Sequence, residues 1–238
     1  MSSRDIMTKS HGSRGLPWLT ALLAAAATAL WAVLGPAPDF LVFDRTAIAN
    51  GEIWRLITGH LVHSDTGHAL WNISALVVLG LLMEPRGRLH MVTAAGIGML
   101  AVSSGLWWYM PELERYCGLS GMLNTLFVVL LADLWRCHRH PVFVVVAFAL
   151  TGKLLAEMLT QQSLVITTAW PTVPLSHLAG CIGGLAYAKA RNVFRLTLAR
   201  KCKRGDIPVW RKDHVSGRSR TSAMGRLPLF VGNEADVR

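Results

Sequence analysis

The chain has 238 residues, of which 52% are hydrophobic and only 16% charged, and its net charge is +10. A soluble domain of that length carries about 25% charged residues, so this composition, with a mean hydropathy of +0.39, excludes an ordinary soluble globule. Nor does the positive charge point to nucleic acid, because the lysines and arginines fall in short clusters between apolar runs and in one long C-terminal tail.

A helix that crosses a bilayer needs about 20 mostly apolar residues. Six segments meet or approach that length: 17–34, 68–83, 91–110, 118–134, 141–159 and 175–196. The predicted architecture is therefore all-α, a polytopic bundle of six transmembrane helices over residues 17–196. A basic N-terminus, 1–16, precedes it, and a basic, flexible tail, 197–238, follows. Arg4, Lys9 and Arg14 stand before the first run as in a signal peptide, but no small-residue cleavage site follows, so the run is read as retained. Basic residues recur after the second segment (Arg86, Arg88), after the fourth (Arg136, Arg139) and after the sixth. The other loops carry acidic residues or none, which by the positive-inside rule places both termini in the cytoplasm. The start of segment four and the start of segment six then face outward. The tail reads as a solvated or headgroup-binding stretch.

Polar groups inside such segments are costly and point to function. Segment two holds His68 and Asn72, four residues apart and so on one helix face. Segment four opens on Ser120 between Gly118 and Gly121, segment five holds Lys153 and Glu157, and segment six has His177 about one turn in. A serine oxygen reaches an imidazole nitrogen at about 3 Å only if the two helices approach closely. Gly121 facing Gly180 and Gly184 supplies the small-residue spacing used for such contacts. Ser120 and His177 are then a nucleophile and a general base. The backbone N–H groups of Gly118 and Ser120 and the side chains of His68 and Asn72 are candidate donors to an oxyanion. No aspartate is placed to complete a triad, so a Ser–His dyad is the expectation.

With these residues the sequence resembles the rhomboid intramembrane serine proteases. The matching motifs are "HSDTGHALWN" in the second helix, "GLSG" opening the fourth and "HLAGCIGG" in the sixth, and "MEPRG" is similar to the family's turn after helix two. "WRLITGHLVH", "YCGLSGMLN" and "GKLLAE" resemble the rhombosortase branch more narrowly, although Asn124 stands where a histidine is common there. The resemblance implies an intramembrane serine endopeptidase of the bacterial inner membrane, with its site opening to the periplasmic side. Its partners would be membrane-anchored proteins with a C-terminal transmembrane helix, in that branch ending in a Gly-Gly sorting tag. It implies no nucleic acid and no cofactor.

Blander readings compete. Ser120 taken alone is more often a helix cap. His60, His63 and His68 suggest a metal site, but no acidic or cysteine ligand accompanies them, and His60 and His63 are expected at the outer mouth. Lys153 and Glu157, at i and i+4, read as a structural ion pair. Cys117 precedes the bend and has no base. A general rhomboid protease with other single-pass substrates, a catalytically silent helix binder and a small transporter are the alternatives.

Overall fold

The computed structural model describes residues 16–163 and 168–204, with side chains as far as 197. Expectations for 1–15 and 205–238 lie outside the described residues. Six long helices appear: α1 (Trp18–Leu34), α4 (Thr66–Met83), α5 (Arg88–Tyr109), α6 (Ser120–His138), α7 (Val142–Thr160) and α8 (Pro174–Arg204). The loop between α1 and α4 holds a two-residue strand β1 (Phe43–Asp44) and the short helices α2 (Arg45–Ala49) and α3 (Arg55–Thr58); β2 (Arg115–Tyr116) precedes α6. Four of the long helices are long and apolar enough to cross a membrane, namely α4 with its 3-10 extension, α5, α6 and α7, and α1 is a shorter apolar helix. Many side chains of the long helices, among them Leu100, Phe148 and Leu185, are exposed and apolar. Such faces are stable against lipid and not against water. This is a membrane protein. Helix α8 runs on beyond residue 196, where the apolar run ends, because lysine, arginine and leucine are good helix formers.

Helix α6 is the centre of the bundle, packed on α4 and α5 through Leu76, Met83, Met91, Leu123 and Leu126. Helix α7 is the least buried of the four candidate spans, with only Leu154 and Glu157 buried. Helix α1 is held by a buried carboxylate: Glu84 accepts from the N–H groups of Leu19 (3.1 Å) and Thr20 (2.8 Å) and from the Thr20 hydroxyl (2.7 Å). An anion there satisfies the unpaired donors and the positive end of the α1 dipole.

The loops that carry the site are pinned in the same way. Arg45 donates to the carbonyls of Leu106 (2.9 Å) and Met110 (2.7 Å) at the end of α5, a cation at a helix C-terminus. β1 pairs antiparallel with β2, Phe43 opposite Tyr116. That pairing brings the run into α6 against the α3 turn, and the Gly118 N–H donates to the Gly59 carbonyl at 2.9 Å.

Candidate active site

Ser120 is the first residue of α6, and His177 lies in the first turn of α8. Their side chains meet: His177 Nε2 lies 2.9 Å from Ser120 Oγ. The approach depends on missing side chains. A Cβ on Gly180 would overlap the Gly121 carbonyl oxygen, and one on Gly184 would lie 2.9 Å from the Thr125 carbonyl. The Thr125 hydroxyl donates to the Gly180 carbonyl at 2.7 Å, which ties the same two helices together.

Gly118 has φ of +126°, a backbone conformation that side chains disfavour, and a Cβ there would lie 2.6 Å from the His68 ring. Glycine thus allows both the bend and the approach of His68. Its N–H is already bonded to Gly59, so the sequence expectation that it donates to an oxyanion is corrected. The β1–β2 pairing has used that donor to hold the loop. Ser120 N–H belongs instead to the first turn of α6, where helix geometry provides no intrahelical partner.

Asn72 is buried, and its Nδ2 has no hydrogen-bond partner among the described residues. A buried orphan donor is expensive, and this one lies close to Gly118. His68 Nδ1 is 3.0 Å from Ser64 Oγ and 3.5 Å from the Ser64 N–H. The Ser64 hydroxyl gives its proton to Asp65 Oδ2 at 2.8 Å, so Nδ1 accepts from the Ser64 N–H, and Nε2 then carries the proton and is the nitrogen beside Gly118. Asp65 caps α4, accepting from the His68 N–H at 2.8 Å, and its other oxygen accepts from the Ala169 N–H at 2.8 Å. That second bond joins α4 to the chain entering α8. Ser120, His177, His68 and Asn72 all line one cavity of about 340 Å³, which Trp71 and Trp170 also line.

Two expectations about neighbouring residues change. His60 and His63 do not line the mouth. They are 2% and 1% exposed, packed beneath it, with His60 Nε2 3.0 Å from Ser103 Oγ and His63 edge-on to His68. Burial pushes His60 down to about 4 and His63 down to about 3, so both are neutral near pH 7. Burial pushes the Cys117 thiol up to about 12, which keeps it un-ionised and unreactive.

The Lys153–Glu157 ion pair is present, Nζ to Oε1 at 2.7 Å. It does more than join one turn to the next, because Glu157 Oε2 lies 2.9 Å from His177 Nδ1. The carboxylate beside the imidazole is thus a glutamate on α7, where the sequence suggested no third member. The available signal was a glutamate in the last turn of an apolar helix, at the same end of the bundle as Ser120 and His177. A second polar cluster escaped the sequence reading altogether. At the far end of α6, Asp133 meets His90 Nε2 (2.9 Å) and Arg191 (2.8 Å), and His90 Nδ1 meets the Tyr187 hydroxyl (2.8 Å). It joins α5, α6 and α8.

Compared with known protein families, residues 50–191 match the one described as the Rhomboid domain. The chain belongs to the rhomboid family. A search of curated proteins finds no match. Rhomboid proteins are typically intramembrane serine proteases that act on membrane-protein substrates within the bilayer. In this rhomboid protein the matched region runs from the α3 loop into α8 and contains Ser120, His177, His68 and Asn72.

Proposed function

We propose that this rhomboid protein is an intramembrane serine endopeptidase in which Ser120 is the nucleophile and His177 the general base. The supporting observation is the 2.9 Å contact between Ser120 Oγ and His177 Nε2 in a cavity that also holds the buried Asn72 amide, unpaired among the described residues. Ser120 Oγ attacks the scissile carbonyl while His177 Nε2 takes its proton. The tetrahedral oxygen that forms is met by Asn72 Nδ2, the Ser120 N–H and His68 Nε2, donors already in place before charge develops. His177 returns the proton to the departing amine, leaving an acyl ester on Ser120. Water activated by the same imidazole then releases the acyl product.

The six long helices cross the bacterial inner membrane with both termini in the cytoplasm, by the charge pattern of the loops. The cavity then opens on the periplasmic side. The substrates are membrane-anchored proteins with a C-terminal transmembrane helix, and the resemblance to rhombosortases favours those ending in a Gly-Gly tag, a helix and a basic end. Cleavage of such a tagged protein, compared with cleavage of a single-pass protein lacking the glycines, tests the finer assignment. A fluorophosphonate probe should label the wild type in detergent, and Ser120→Ala should lose both labelling and cleavage. Wild-type turnover by Ser120→Ala would refute the protease reading.

A further inference from the structure

We infer that Glu157, paired with Lys153, is a positioning residue for His177, so that the working unit is a Ser120–His177–Glu157 relay spread over α6, α8 and α7. The inference rests on the assignment of Ser120 and His177 proposed above. Three bonds in series carry it: Lys153 Nζ to Glu157 Oε1 at 2.7 Å, Glu157 Oε2 to His177 Nδ1 at 2.9 Å, and His177 Nε2 to Ser120 Oγ at 2.9 Å.

Each link has a chemical consequence. A carboxylate on Nδ1 accepts a hydrogen bond, so the neutral ring must carry its proton on Nδ1 and leave the Nε2 lone pair for the serine hydroxyl. The other tautomer is useless as a base towards Ser120. When the ring takes the serine proton, the carboxylate faces an imidazolium and stabilises it, as the acid of a Ser–His–Asp triad does. Glu157 is 0% exposed, and a carboxylate so placed is stable only when it is paired and hydrogen-bonded. Lys153 sits one turn earlier on α7, partly exposed on the cavity wall, and supplies the compensating charge.

The burial pattern of α7 agrees with this role. Of its 19 residues only Leu154 and Glu157 are buried, so the helix offers little apolar anchorage on this side. A buried ion pair by itself contributes little net stability and is often replaceable by apolar residues. A glutamate and a lysine placed here therefore call for a use beyond packing, and the imidazole in contact with Glu157 provides one.

The test uses the full-length protein in detergent with a single-pass substrate carrying the Gly-Gly tag, helix and basic end, and follows the rate of fluorophosphonate labelling alongside. Glu157→Gln should lower kcat on the order of 10²–10⁴ with KM within about twofold, because the amide no longer enforces the tautomer or stabilises the imidazolium. Glu157→Asp should restore part of that loss. The double variant Lys153→Met with Glu157→Gln removes the charge pair as a whole, so it should fold and still show the kcat defect. A purely structural ion pair predicts the reverse, a lowered melting temperature with kcat within about threefold of wild type, and that result in either Gln-containing variant overturns the inference. The wild type offers a readout independent of any of these variants. In protein labelled with ¹⁵N-histidine, the neutral His177 ring, identified by the signal lost in His177→Asn, should carry its proton on Nδ1, and a proton on Nε2 would overturn the inference. Cleavage by Ser120→Ala would instead defeat the protease reading itself, whereas an inactive Ser120→Ala beside a fully active Glu157→Gln defeats only the role of Glu157.

Discussion

Adding one carbon at Gly121 should separate the effect of helix approach from that of chemistry. A Cβ there would lie 2.8 Å from the Ser176 carbonyl oxygen and 2.7 Å from Val102 Cγ2, where ordinary contact begins at 3.4 Å, a shortfall of about 0.6 Å against backbone. Val102 can turn its methyl aside, but the Ser176 carbonyl belongs to the α8 backbone. Gly121 follows Ser120 and Ser176 precedes His177, so the displacement falls on the two reacting side chains. If α8 yields by that amount along the contact, the 2.9 Å bond stretches to about 3.5 Å, the edge of hydrogen bonding. A misplacement of about 1 Å costs about 10²-fold in rate, so Gly121→Ala should lower kcat on the order of tenfold and Gly121→Val on the order of 10²-fold. Overpacking costs about 1–3 kcal/mol, and in the Ala variant about 0.5–1 kcal/mol is offset by better helix propensity. Activity should therefore fall further than stability. The control is Gly152→Ala on α7, where a new Cβ meets nothing within 4 Å and should leave both unchanged or stability slightly raised. Detergent cleavage kinetics with thermal melts decide the matter. Wild-type kcat and melting temperature in Gly121→Val would refute the reasoning.

Asn72→Ala should reduce kcat by about 10²–10³ while leaving KM near its wild-type value, since an oxyanion donor acts mainly in the transition state. His68→Ala should behave alike, and full activity in both variants would leave the Ser120 N–H as the remaining proposed donor. Asp65 titrates below the usual carboxylate range: burial raises it, but the bonds from the Ala169 N–H, the His68 N–H and the Ser64 hydroxyl lower it more. A depressed folded value means the stabilisation is present above the unfolded carboxyl's ordinary value, about 3.9, and is lost as pH falls through the folded one. Asp65→Asn should flatten the acid limb of the curve of melting temperature against pH, and curves that stay parallel to wild type would exclude the effect.

The sequence by itself determined where the long helices lie, because bilayer thickness demands apolar runs of about 20 residues and polar residues end them. It also brought Ser120, His177, His68, Asn72 and the glycines Gly121, Gly180 and Gly184 into view, since each is conspicuous in an apolar background. What it could not convey is which way each helix is turned. Residues 142–150 of α7 are apolar on every side, so no amphipathic stripe indicates the face that meets α8. Only the tertiary packing turns Glu157 onto His177 Nδ1, and without that rotation Lys153 and Glu157 read as a pair on one helix. The same holds for the loops. The β1–β2 pairing decides that the Gly118 N–H goes to Gly59, and the α3 turn decides that His60 and His63 are buried. Local spacing carries helical periodicity, but contacts between elements far apart in the chain depend on helix rotation and loop register, and many residues jointly set those.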